Sequence, residues 1–360
     1  MDFLQREVLT AALHEQSAAM AVFITGKNVP VPWGIAAGMA DSSTARPLTI
    51  DTPLRVASNT KTFVAATVLR LWEQGAIVLD APIAALLAPT LERLLASRGY
   101  PTDDITVRHL LSHSAGIYDH ADDPRYFKAV LANPTHYWTR EEQVGLSCHY
   151  AGPTNAPGKE YRYSDTGYVL LGDIVERVTQ APLAESVRHQ LRFDERGLAS
   201  TWWEMVESQP AGTQARARQF LDDEAITDVT HLSATLDLYG GGGLVMSVRD
   251  LATFQQDLFE NRVFDNPGTL AEMLRQGDHE GAEEYRLGIS VKRVGGRERY
   301  SHAGFWGTAV YYSPDAGVSV AGFTTHRAGR PALVELLENA LRAAAEGVED
   351  EDWKGGTSCR

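Results

Sequence analysis

Apolar positions follow two different periods along the chain. Within residues 3–16, Leu4, Val8, Ala11 and Ala12 recur at helical spacing, and residues 18–25 then read as a strand ended by Gly26, Lys27 and Asn28. A second strand is predicted over residues 33–39. Across residues 59–74, Val64, Val68, Leu71 and Trp72 share one helical face, and Gly75 stands where such a helix stops.

From residue 81 to 231 the pattern becomes helix and loop. Pro82, Pro89, Pro101, Pro124, Pro134, Pro153, Pro157 and Pro182 punctuate its short apolar stretches. Strand patterns return at 243–247, 285–293, 299–302, 308–313 and 318–325. Ser313-Pro-Asp-Ala-Gly317 joins the last two through a tight turn, which makes them antiparallel neighbours. Leu333, Leu336, Leu337, Ala340, Leu341 and Ala344 form the clearest helical stripe, in a helix predicted over 331–346 with Pro331 at its first position and Gly347 as its stop.

This order of elements predicts an α+β fold. Residues 1–80 and 232–347 form an antiparallel sheet domain flanked by helices, residues 81–231 a mostly helical insertion, and residues 348–360 a disordered acidic tail. There is no internal repeat and no low-complexity tract.

Composition narrows the classes of function. The 360 residues are 44% hydrophobic and 22% charged, enough apolar residues for a sizeable core. The 33 Lys+Arg against 47 Asp+Glu leave a charge of −14, which excludes an extended nucleic-acid surface. Cys148 and Cys359 stand far apart with no C-x-x-C, so neither a disulfide framework nor a zinc ribbon is available, and Cys359 reads as a bystander. Asp2, Arg6 and Glu7 interrupt the region an export signal would need, and the longest nearly uncharged run, residues 81–89, is too short to span a bilayer. The expectation is a cytoplasmic protein with no membrane and no nucleic-acid partner.

Three short motifs carry candidate chemistry. Ser58-Asn59-Thr60-Lys61 places a hydroxyl and an ammonium three residues apart on one helical face, a nucleophile beside its activator. A serine at a helix start is by itself more often a cap. Tyr161-Arg-Tyr163-Ser-Asp165-Thr-Gly167-Tyr168 follows a Pro/Gly-rich loop, and a tyrosine held beside an ammonium can relay a proton. In Ser301-His302-Ala-Gly304-Phe305-Trp306-Gly307, Gly304 lets a substrate backbone approach and His302 can donate into a cleft.

Taken together, in this order and rough spacing, the three motifs resemble those of the penicillin-recognising serine hydrolases, the class C β-lactamase and DD-peptidase-like family. Residues 105–117, 163–176, 241–251 and 304–307 resemble it too, so the likeness runs from about Ala18 to Ala345. It implies a β-lactamase-like fold in three layers, α/β/α. It also implies Ser58 as acylated nucleophile, Lys61 as its proton partner, and Tyr163 as general base and acid. By the same match the backbone N–H groups of Ser58 and Phe305 form the oxyanion hole, Asp165 stands in place of the family's Asn, and His302-Ala-Gly304 replaces Lys-Thr-Gly.

The two departures bear on activity. His302 removes a permanent positive charge at neutral pH, which fits the DD-carboxypeptidase, D-aminopeptidase and esterase branches better than the β-lactamases. Asp165 cannot donate as an amide does; it either pairs with Lys61, leaving Tyr163 as the main base, or binds a substrate amine. The resulting expectation is a serine hydrolase of small-molecule amides or esters, most plausibly a small D-amino-acid amide or peptide or a carboxylic ester. The alternatives are an acyltransferase using the same acyl-enzyme and a non-catalytic ligand-binding relative.

Other patterns carry less. His109 and His113 are four apart but lack the Glu of H-E-x-x-H, and Gly240–Gly243 lacks the Lys-Ser/Thr of a phosphate loop, so no metal and no cofactor are expected. Trp202-Trp203 suits packing, whereas Trp306 is the better pocket residue. Residues 119–160 and 200–235 read as cleft walls without a substrate signature.

Overall fold

In a computed structural model, residues 19–222 and 226–354 are described, together with Glu7 and Thr10. The helix predicted over 3–16 lies outside them apart from those two residues, as does Cys359. The central feature is a seven-stranded antiparallel sheet built from both ends of the chain. Its strands are β1 (Ala19–Thr25), β2 (Trp33–Asp41), β3 (Arg46–Pro47), β9 (Ser290–Val294), β10 (Arg297–Gly304), β11 (Thr308–Ser313) and β12 (Val318–Thr324), in the order β3-β2-β1-β12-β11-β10-β9. A second sheet has three strands, β4 (Leu54–Arg55), β8 (Leu244–Met246) and β5 (Trp202–Trp203), in the order β4-β8-β5.

Strand periodicity decides what each face of the large sheet buries. Along β1, Met20, Val22 and Ile24 pack with Leu333, Leu337 and Leu341 of the last helix. Ala19, Ala21 and Phe23 point the other way, into the main core. Helix α8 (Val248–Phe259) covers that side, in contact with β1, β11 and β12. Helix, sheet and helix are thus the three layers of a β-lactamase-like fold. No helix among the described residues is long and apolar enough to cross a membrane.

The helix carrying Lys61, α1 (Thr60–Glu73), ends where its sequence pattern stops: Gly75 adopts φ 75° and its N–H donates to Trp72 O at 2.9 Å. Helices α2 (Pro89–Ala96), α3 (Val107–Leu111), α4 (Pro124–Ala132), α5 (Arg140–Tyr150), α6 (Asp165–Thr179) and α7 (Leu183–Gln190) fall within residues 81–231. The same stretch also contributes β5 and a hairpin, β6 (Phe220–Asp222) with β7 (Ile226–Asp228).

Two boundaries differ from the sequence reading. The strand predicted from residue 285 begins only at Ser290, because Gly288 packs on α1 and Leu287 N–H donates to Met273 O instead of pairing with β10. Gly288, at φ 87°, lies where any Cβ would collide with that of Ala65, and its carbonyl accepts from Thr62 Oγ1 at 2.9 Å. The last helix, α10 (Arg330–Lys354), follows α9 (Pro267–Leu274) and the final strands and runs through Gly347, the expected stop. The rest of the expected tail, residues 355–360, lies outside the described residues.

Candidate active site

Ser58 occupies a 3-10 turn, Ala57–Asn59, that leads into α1, rather than the first turn of the α-helix itself. Lys61 follows one turn later and is fully buried. Its Nζ donates to Ser58 Oγ at 2.9 Å and to Gly241 O at 2.7 Å, and it forms a close ion pair with Asp165 Oδ1. Two of the ammonium's three donors are thus hydrogen-bonded, and the Asp165 carboxylate lies against its charge. Asp165 is the first residue of α6, where outward-pointing N–H groups favour a carboxylate, and Ser164 caps that helix by accepting from Gly167 N–H at 3.3 Å.

The ring of Tyr163 lies beside the same ammonium, with Lys61 Nζ 5.0 Å from its centroid. Burial pushes the Tyr163 phenol well above its ordinary range, the charge of Asp165 adds to this, and hydrogen bonding with Ser58 opposes it. The phenol form is thereby favoured at neutral pH.

Ser58 opens onto a cleft of about 490 Å³, including its mouth. Ser58, Asp165, Phe305 and Trp306 line it, as do Tyr126, Phe127 and Asp237. The backbone N–H groups of Ser58 and Phe305 make no hydrogen bond with the described residues, and both belong to the cleft wall.

A family model described as Beta-lactamase matches residues 6–345. The chain belongs to the Beta-lactamase family. Esterase EstB of Burkholderia gladioli is 33% identical over 184 residues, 50% of this chain and 46% of that protein. A carboxylate methylbutanoyltransferase of Penicillium citrinum is 30% identical over 156 residues, 40% of this chain and 36% of that one. The matches thus span less than half the length of either relative. A solved D-stereospecific amidohydrolase from Streptomyces sp. superposes with a TM-score of 0.78 at 26% identity, covering 93% of this chain and 98% of that chain.

Within this Beta-lactamase-family site, two expected substrate residues face elsewhere. His302 is buried on β10 and turned toward Tyr285, with Nε2 3.0 Å from Tyr285 Oη and Nδ1 3.2 Å from Ala303 O. A carbonyl only accepts, so Nδ1 carries the proton and the Tyr285 hydroxyl donates to Nε2. Burial pushes His302 down to about 3, with Lys61 adding to it, so the imidazole is neutral. Gly304 does permit a close approach, but of the protein to itself. A Cβ there would collide with Val56 O and Thr308 Oγ1, the groups that brace the Ser58 turn. Asn59 Nδ2 donates to Val56 O at 2.9 Å and to Thr308 Oγ1 at 2.8 Å, locking that turn to β11.

The histidine pair of residues 109 and 113 does not share a helix face, because α3 ends at Leu111. His109 Nδ1 accepts from Thr106 N–H at 3.2 Å as part of a capping box. Trp203 is core, its Nε1–H donating to Leu238 O at 3.0 Å.

Several cleft residues have no motif in the sequence. Tyr126 and Phe127 come from α4, inside the expected wall 119–160, whereas Leu236 and Asp237 lie just past the expected wall 200–235. Asp237 is pushed up to about 7, chiefly by burial and further by Asp165, with Arg55 opposing. Asp119 is pushed up to about 8 by burial first and then by Asp165. An isolated aspartate in a loop carries no spacing signal, so only the fold reveals this grouping of carboxyls.

Proposed function

We propose that the protein is a serine hydrolase acting through an acyl-enzyme on Ser58. The observation that carries this reading is the 2.9 Å hydrogen bond between Lys61 Nζ and Ser58 Oγ at the wall of the cleft. Lys61 passes one proton to Asp165 and takes the Ser58 proton as Oγ attacks the carbonyl carbon, so the pair goes from neutral to singly positive as the tetrahedral oxyanion becomes singly negative. The backbone N–H groups of Ser58 and Phe305 stabilise the oxyanion. Tyr163, kept as a phenol, protonates the leaving group and regains its proton from Asp165 through Lys61. Water then repeats the sequence on the acyl-enzyme.

Tyr163 accordingly enters as an acid, and the Lys61–Asp165 pair supplies the base that the resemblance assigned to Tyr163. The side chain of Asp165 engages Lys61, so a substrate amine would meet Asp237 instead. The aromatic rings of Tyr126, Phe127, Phe305 and Trp306 suit an apolar acyl group. An amide, small peptide or ester of an apolar amino acid fits this cleft best, and the name of the Streptomyces relative agrees with it. Testing D- and L-amino-acid p-nitroanilides, short-chain p-nitrophenyl esters and nitrocefin against Ser58→Ala examines this directly. Turnover by wild type that Ser58→Ala abolishes supports it, and equal turnover by both overturns it.

A second reading rests on the methylbutanoyltransferase relative. The same acyl-enzyme would pass its acyl group to an alcohol, and turnover that rises with added alcohol would favour transfer over hydrolysis.

A further inference from the structure

The loop bearing Tyr163 rests on one residue outside the cleft. His113 follows the end of α3 with φ 55°, a left-handed backbone uncommon for a non-glycine residue. Its carbonyl accepts from the Arg162 N–H at 2.7 Å, and its Nδ1 accepts from the Ser164 N–H at 3.1 Å. Both neighbours of Tyr163 are thus tied to His113. The Tyr163 ring itself lies on the imidazole, with centroids 4.2 Å apart.

An Nδ1 that accepts a backbone N–H leaves the ring proton on Nε2. That nitrogen is buried with no hydrogen-bond partner among the described residues, and the rings of Tyr168 and Tyr285 stand 5.0 and 4.7 Å away between centroids. Leaving a buried donor unpaired is costly, so a residue placed only for packing would more simply be apolar. Burial, and Lys61 after it, hold His113 well below its ordinary pKa, which keeps the accepting form at working pH.

We propose that His113 is a positioning residue, which fixes the backbone on both sides of Tyr163 and the plane of its ring so that Oη meets the leaving group. The inference rests on the reading of Tyr163 as the acid. Displacing an acid by about 1 Å can cost about 10²-fold in rate without changing substrate binding.

The test measures kcat and KM for the best amide and the best p-nitrophenyl ester with His113→Ala, His113→Asn, Tyr163→Phe and the His113→Ala/Tyr163→Phe double variant. His113→Ala is expected to lower kcat on the amide about 30-fold with KM within about twofold, and to affect the ester far less, since p-nitrophenoxide leaves without a proton. His113→Asn should restore most of the loss, because its Oδ1 can take the place of Nδ1 and Asn tolerates the left-handed backbone. In the Tyr163→Phe background His113→Ala should cost nothing further. If His113→Ala does not fold, His113→Gln, which lacks an acceptor at the Nδ1 position, replaces it.

Equal losses in both backgrounds, or Asn as damaging as Ala, would overturn the inference. A Tyr163→Phe variant with full amide turnover would remove the reading of Tyr163 and this inference with it. Loss in Tyr163→Phe but none in His113→Ala would remove the inference alone.

Discussion

Asp165 forms an ion pair with Lys61 at the position where the resemblance places an asparagine. The pair joins the start of α6 to the start of α1, so the carboxylate meets the ammonium that contacts the nucleophile. In the proposed mechanism this relationship makes Asp165 the terminal proton acceptor.

Asp165→Asn is therefore expected to lower kcat/KM by about 10²-fold on amides and esters alike, since the base acts in acylation of both. Steady-state kinetics on the two substrate types check it. Unchanged kcat and KM would remove Asp165 from the proton path.

Tyr163→Phe separates acid from base. With the phenol as acid, amide turnover should fall about 10²-fold or more while p-nitrophenyl ester turnover changes little. Equal losses on both substrates would return Tyr163 to the role of base.

Much of this site is legible in the sequence, for physical reasons. Ser58, in the 3-10 turn, and Lys61, in the first turn of α1, are only three residues apart, so their contact is local and spacing alone predicts it. The short turn between β11 and β12 likewise carries its own geometry and makes the two strands antiparallel neighbours. Asp237, Tyr126 and Phe127 reach the cleft from separate loops and helices, and only tertiary packing brings them to Ser58. Gly304 illustrates a second limit: its spacing predicts a close approach without saying what approaches.

Gly304→Ala should lower both stability and reactivity, because the added Cβ meets Val56 O, backbone that cannot rotate away. A destabilisation of about 1–3 kcal/mol is expected, with slower fluorophosphonate labelling of the protein that remains folded. Thermal unfolding with timed labelling measures both, and an unaltered labelling rate would mean that the Ser58 turn does not depend on this approach.

Asp237→Asn tests the half-buried carboxyl of the cleft wall. Its pKa is raised from 3.8 to about 7, so the stability it contributes is complete below 3.8 and is lost as pH rises through about 7. An amide does not titrate, and the variant should exceed wild type in Tm by more at about pH 8 than at about pH 5. Scanning fluorimetry at the two values reads the difference, and a larger gain at the lower pH would contradict it.

The central claim is that Ser58 forms the acyl-enzyme. Mass spectrometry of the protein after a fluorophosphonate, and after a rapidly quenched p-nitrophenyl ester, tests it most directly. The account predicts one adduct per chain on the peptide containing Ser58, absent from Ser58→Ala. An adduct on another residue, or turnover of the ester with Ser58 unmodified at every quench time, would contradict it.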